Sequence, residues 1–282
     1  MKQILVPTDF SDNALKAALY AAMIAKKTNA EILLLHSMEQ VEHMMRQPFV
    51  LHDKFVEEMT KGRVGEMKAF RKKIVREFPG LKTKIKITEG SPSSRIIEYA
   101  EQQQPDLIIM GTKGVTGLKE IFAGSTTSGI IGKTKCPVLA VPEDYKMGKI
   151  DAVLLATNHF EKNIAWLRPV IDIAALFCAT IHVVVFLDTD TSEQEDYTMN
   201  ARQLSLYVDY LKNTFPTAVF KGELLDGKEF EPTIEKYDSA NEVDIISMFT
   251  YPKSIWEKIQ KKSITKKIAC HSKIPLLAIT AQ

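Results

Sequence analysis

The sequence predicts an α/β protein made of two tandem copies of a five-stranded parallel-sheet domain, and three observations carry that reading. Short β-branched or leucine-rich runs alternate with amphipathic helical segments, the pattern of a parallel sheet covered by helices on both faces. The alternation occurs twice, the second time as a weaker version of the first. The 282 residues, 45% hydrophobic and 26% charged, suffice for two ordinary globular cores.

In the first copy the strands are expected at 3–7, 30–36, 83–88, 106–110 and 137–141, each buried on both faces. Leu15, Ala18, Leu19 and Ala22 share one helical face behind Ser11 or Asp12 as N-cap. A second helix carries Ile96, Ile97, Tyr99 and Ala100 after Ser91-Pro92-Ser93, with proline near its first turn. The repeat shows in matching runs. Ile4 to Asp9 corresponds to Val153 to Asn158, and Ile32 to His36 to Ile181 to Val185, both at an offset of 149. Asp106 to Met110 corresponds to Asp244 to Met248, and Pro137 to Val141 to Pro275 to Ile279, at an offset of 138. The fall in offset puts about eleven extra residues into the first copy after Met38. The polar stretch Glu143 to Lys149 separates the copies, which gives domains of residues 1–146 and 147–282.

Composition excludes several classes. Thirty-seven basic against thirty-five acidic residues leave a net charge of +2, too little to imply a nucleic-acid or anionic-membrane partner. No stretch approaches the roughly 20 apolar residues of a spanning helix, and the opening lacks the apolar run of a signal peptide, so the expected location is cytoplasmic. Cys136, Cys178 and Cys270 form no CxxC pair and are read as buried thiols of a reducing compartment. The six histidines, His36, His43, His52, His159, His182 and His271, show no metal-ligand spacing. Met38, Met44, Met45, Met59 and Met67 are read as core-facing positions on a helix.

In an open parallel sheet, ligands bind at the carboxyl ends of the strands, where strand order reverses. There the first copy is distinctive. Strand one runs into Pro7-Thr8-Asp9, and Asp9 is either a carboxylate for a ligand hydroxyl or a cap for the first helix. Strand four ends in Met110 and runs into Gly111-Thr112-Lys113-Gly114, followed by Gly124-Ser125-Thr126-Thr127 before a helical stretch expected at 128–134. Glycines admit positive φ and close approach, so successive N–H groups can turn inward into an anion nest. Ser125 and Thr126 add hydroxyl donors, and a helix N-terminus adds partial positive charge. Gly132-Lys133-Thr134 imitates the end of a P-loop, but the position five before Gly132 is Thr127, and no G-x-G-x-x-G follows strand one.

These residues resemble the universal stress proteins, in particular their ATP-binding branch: Gly111, Gly114, Gly124 and Ser125 meet the pattern G-x2-G-x9-G-[ST], and the opening Pro-Thr-Asp-Phe-Ser and closing Lys-Cys-Pro-Val-Leu-Ala-Val are similar as well. The resemblance covers the first half, with the second half a divergent copy. It implies a Rossmann-like, adenine nucleotide α-hydrolase-like fold, ATP with Mg²⁺ as ligand, Asp9 near the ribose, the backbone of Ser37 at the adenine edge, and Gly111, Gly114, Gly124, Ser125 and Thr126 at the phosphates. It also implies pairing through the last strand, here as an intrachain pseudo-dimer with room for a homodimer, and an unidentified protein partner.

The second half departs at nearly every such place. Asp9 becomes Asn158, Ser37 becomes Phe186, Gly111 becomes Phe249, Gly114 becomes Pro252 and Gly124 becomes Lys262, with only Ser263 kept. Proline removes an N–H and non-glycine residues resist positive φ, so no ATP is expected there. Three functional classes stay open: an ATP-binding stress-response regulator, a slow ATPase with at most weak hydrolysis and no identified catalytic residue, and a nucleotide-independent interaction or small-ligand module.

Overall fold

The structure is a computed structural model that describes residues 1–38, 49–112, 125–251 and 273–281, with the backbone alone for 49–60. The chain divides into two compact units, Met1–Glu143 and Asp144–Gln282.

In the first unit β1 (Gln3–Pro7), β2 (Glu31–Met38), β3 (Lys82–Glu89), β4 (Leu107–Gly111) and β5 (Val138–Val141) stand in the order β3-β2-β1-β4-β5. Neighbouring strands are parallel. The crossovers carry α1 (Asp12–Thr28), α2 (Phe49–Glu77), α3 (Pro92–Gln103) and the short α4 (Ser125–Ile130). Strand order reverses between β1 and β4. The second unit repeats this plan with β6 (Ala152–Ala156), β7 (Thr180–Asp188), β8 (Val219–Gly227), β9 (Ile245–Thr250) and β10 (Leu276–Thr280), ordered β8-β7-β6-β9-β10, again with parallel neighbours. Its described helices are α5 (Ile164–Phe177), α6 (Gln194–Thr214) and α7 (Phe230–Asn241).

Strand register accounts for the two offsets. Val6 pairs with Leu34, and 149 positions later Leu155 pairs with Val183. Ile4 pairs with Leu107, and Val153 with Ile245, so the fourth strands stand 138 apart. The change is complete at the third strand, where Leu34 faces Ile85 but Val183 faces Gly222, an offset of 137. The additional residues of the first half therefore lie between β2 and β3, where α2 spans 29 residues against 21 in α6.

The central strands form each core. Ile4, Leu5 and Val6 of β1 and Val153, Leu154 and Leu155 of β6 are fully buried, and each such side chain contributes about 1.5–3 kcal/mol of transfer free energy. A carboxylate pins the start of each first strand. Asp106 Oδ2 accepts the amides of Lys2 and Gln3 at 2.5 and 2.8 Å, and Asp244 Oδ2 those of Asp151 and Ala152 at 2.7 and 3.0 Å.

Local signals set the helix ends. Ser11, one of the two expected caps, accepts the Ala14 amide at 3.1 Å, while α3 starts on Pro92 without a side-chain cap bond. Three expectations need correction. β3 alternates exposed and half-buried positions, because it lies at the outer end of its unit's strand order and has one face toward solvent. The fourth helix begins at Ser125, three residues before the expected start, and has ended by Ile131. Cys178 is exposed rather than buried: it ends α5 in the left-handed region at φ 57°. Cys136 is half-buried, its Sγ–H donating to the Pro105 carbonyl at 3.1 Å, and burial pushes its thiol up to about 12. Cys270 lies outside the described residues. Of the methionines, Met67 is fully buried on α2 and Met38 is half-exposed at the end of β2; Met44 and Met45, and the side chain of Met59, lie outside the described residues.

Candidate functional site

Those residues singled out from the first half that the structure describes lie where the sheet order reverses. β1 lies between β2 and β4, with Pro7 facing Leu35 and Leu5 facing Ile108. The ends of these three strands therefore place Thr8 and Asp9 between His36 and Ser37 on one side and Gly111 and Thr112 on the other. Pro7 and Thr8 are buried and Asp9 is exposed. Thr8 continues the ladder, its amide donating to the Leu35 carbonyl at 2.8 Å. Its Oγ1 accepts the Phe10 amide at 3.0 Å, and Asp9 Oδ1 accepts the Ser11 amide at 3.1 Å. These two short-range bonds close the turn into α1, with Phe10 at φ 67°. Ser11 rather than Asp9 supplies the cap of α1.

On the β2 side, the Ser37 hydroxyl donates to the Gly90 carbonyl at 2.7 Å while the Gly90 amide donates to the Met38 carbonyl at 2.8 Å. The side chain of Ser37 is thus bonded to the β3–α3 connection. Gly90 has φ 121°, and a Cβ there would stand 2.8 Å from Arg95 Nε.

On the β4 side, Met110 is buried and Gly111 half-buried, and the Thr112 amide donates to the Val141 carbonyl at 3.2 Å. Gly111 is required by crowding: a Cβ would fall 2.1 Å from Asn13 Oδ1. Ser125, exposed, and Thr126, half-buried, open α4, whose first amides have no intrahelical acceptor by geometry. Thr127 ties this helix back, its hydroxyl donating to the Gly111 carbonyl at 2.8 Å. Gly114 and Gly124 lie outside the described residues.

Three participants escaped the sequence reading. Asn13 and Thr127 had visible signals, the first in the turn after strand one and the second in the Gly-Ser-Thr-Thr run. His36, set aside with the other histidines, is buried beside Thr8. Burial lowers its pKa from the usual 6.5 and Arg63 adds to this, against the opposing influence of the Thr8 carbonyl, Glu66 and Asp9.

The corresponding strand ends of the second unit are occupied differently. Asn158 replaces Asp9 and donates to the Phe186 carbonyl at 3.3 Å. The Phe186 ring, expected near the equivalent base pocket, packs edge-on against Phe230 at 5.5 Å. The buried Glu161 accepts the hydroxyls of Thr157 and Tyr251 on its two carboxylate oxygens, and its backbone carbonyl accepts the Tyr207 hydroxyl at 2.6 Å. Burial first, and the Glu161 charge second, hold the Tyr207 phenol well above its ordinary range. A buried carboxylate thus joins the ends of β6 and β9, whereas the carboxylate after β1, Asp9, is exposed. Pro252, Lys262 and Ser263 lie outside the described residues. Among the described residues no group of three or more histidines, cysteines and carboxylates could hold a metal ion, and no helix is long and apolar enough to cross a membrane.

An open parallel sheet whose first unit gathers glycine, hydroxyls and one carboxylate at the strand-order reversal places the chain among α/β proteins of the Rossmann-like type. The family follows from comparison. The sequence model described as "Universal stress protein family" matches residues 1–142, and the chain belongs to that family. It is 37% identical over 145 residues to Universal stress protein MJ0531 of Methanocaldococcus jannaschii, covering 51% of this chain and 84% of that protein. It is 36% identical over 154 residues to Universal stress protein MJ0577 of the same organism, covering 50% of this chain and 94% of that protein. Among solved structures, a universal stress protein from Archaeoglobus fulgidus DSM 4304 shares the fold over 99% of this chain and 98% of its own, with a TM-score of 0.74 at 20% identity.

Proposed function

We propose that the protein is an ATP-binding universal stress protein acting in stress response or regulation, with the nucleotide held by the first unit alone. The supporting observation is the convergence of Thr8, Asp9, Ser37, Met110, Gly111, Ser125 and Thr126 on the strand-order reversal. The donor set suits an adenine nucleotide. Asp9 offers carboxylate oxygen to ribose hydroxyls, the backbone of Ser37 offers an N–H and a C=O to the adenine edge, and the start of α4 offers main-chain N–H and hydroxyl donors to phosphate. Mg²⁺ would arrive with the phosphates and be held chiefly by their oxygens and by water. Bound nucleotide would supply the polyanion by which occupancy biases the loops around it toward a form read by a partner protein.

In the second unit the same place offers the Glu161 carboxylate, which repels phosphate, and Phe249 where the first unit has Gly111. That unit takes no ATP through the equivalent site.

Titration calorimetry of the full chain with MgATP tests the reading, with one nucleotide per chain as the expected result. Gly114→Pro and Gly124→Lys, which copy the second half, abolish the heat while circular dichroism stays native. No heat with the wild type, or undiminished affinity in both variants, overturns it. Multiple turnover above a Gly124→Lys control identifies the protein instead as an ATPase.

A further inference from the structure

Phe10 adopts φ 67°, a left-handed conformation that a bulky residue keeps only where its surroundings over-determine it. The turn from Thr8 to Ser11 is therefore held from outside, and the holder is His36. Its Nδ1 lies 2.7 Å from the Thr8 carbonyl oxygen. A carbonyl only accepts, so Nδ1 carries the proton and donates, which fixes the tautomer. The same imidazole lies against the Phe10 ring, centroids 4.4 Å apart and planes inclined by 32°. Phe70 of α2 also meets the Phe10 ring edge-on at 5.9 Å. One buried ring thus grips the residue before Asp9 by a hydrogen bond and the residue after it by ring contact.

The second unit supplies an internal comparison. Its turn is one residue longer but also carries a left-handed phenylalanine, Phe160 at φ 51°, whose amide donates to the Thr157 Oγ1 at 2.9 Å. Register places Val185 where His36 would be. The turn is held instead by Glu161 and by Tyr207, whose ring meets Phe160 edge-on at 5.5 Å. The imidazole grip belongs to the unit that has the aspartate.

We propose that His36 is a positioning residue for nucleotide binding, setting the place of the Asp9 carboxylate through the Thr8 carbonyl and the Phe10 ring. This rests on the ATP reading of the same site. The test is MgATP calorimetry on the full chain for wild type, His36→Asn, His36→Leu, Asp9→Asn and the double variant His36→Leu/Asp9→Asn, each checked by thermal unfolding. Asparagine retains an N–H donor near the Nδ1 position and keeps affinity within about threefold, whereas leucine fills the space without a donor and loses about tenfold, the effect of one hydrogen bond. The double variant binds no worse than Asp9→Asn alone, because His36 acts through Asp9. Wild-type affinity in His36→Leu, or losses that multiply in the double variant, overturns the proposal. If the wild type itself takes up no MgATP, the ATP reading is what fails. Hydrogen exchange of the Phe10 and Ser11 amides then reads the grip directly: it accelerates at least tenfold in His36→Leu and stays slow in His36→Asn, and equal exchange in all three proteins overturns the grip.

Discussion

Gly111 shows how a single residue serves packing and the proposed site at once. Its α-hydrogen faces the Asn13 side chain, which donates to the Val141 carbonyl at 3.4 Å, and its own carbonyl accepts the Thr127 hydroxyl. Gly111→Ala drives a methyl group into Asn13 and is expected to cost about 1–3 kcal/mol, the range for overpacking a filled space. Urea unfolding measures the loss. Adding Asn13→Ala vacates the space, so the double variant is less destabilised than the sum of the single changes. Strict additivity would assign the glycine to backbone conformation alone.

At the scale of elements, the helices end in a way that leaves room for improvement. α1, α3, α5 and α7 all terminate on non-glycine residues in the left-handed region, at Asn29, Gln104, Cys178 and Glu242 with φ between 48° and 57°. Glycine adopts that conformation without the Cβ conflict, at a cost in unfolded-chain entropy. Cys178→Gly keeps the cap amide that donates to the Ala174 and Ala175 carbonyls. It is expected to stabilise the protein by about 0.5–1 kcal/mol. The midpoint of thermal unfolding rises, and thiol labelling of the native protein drops because the exposed sulfur is gone. A lower midpoint would show that the cysteine side chain contributes more than its backbone strain costs.

For the whole molecule, each unit holds one buried histidine among the described residues that dislikes charge. Burial lowers His36, with Arg63, Glu66 and Asp9 as its charged neighbours, and burial lowers His182, with Lys221 and Glu223 nearby. His182 Nδ1 and Glu223 Oε2 both lie 3.0 Å from the Tyr237 hydroxyl. A histidine whose folded pKa lies below its unfolded value makes the unfolded chain bind more protons. Its contribution is complete above the ordinary imidazole value of 6.5 and is lost as pH falls through that value toward the depressed ones. Urea midpoints are therefore expected to be level from pH 7.5 to 7 and to fall from pH 6.5 to 5. His182→Gln flattens part of that slope, and an unchanged slope in this variant would remove His182 from the account.

The legible parts of the protein were those written into short stretches of chain. Buried runs such as Ile4-Leu5-Val6 mark strands because their neighbours in sequence are their neighbours in the core. The two offsets were readable because equivalent strands keep equivalent register. Even the exposed face of β3 is written in Lys82-Thr83-Lys84-Ile85-Lys86, an alternation that a fully buried strand does not show. The glycine and hydroxyl signature was equally local. What only the tertiary structure decided are the contacts between residues far apart: the His36 ring against Thr8 and Phe10, Asn13 filling the space beside Gly111, and Glu161 joined to Tyr207 and Tyr251. No periodicity or spacing encodes them, because each exists only after the crossovers have brought separate strand ends together. The sequence by itself determined the elements, their repeat and the strand ends at which a ligand is proposed to bind. The geometry of that place follows from long-range packing, which selects one side-chain arrangement among the many that local preferences allow.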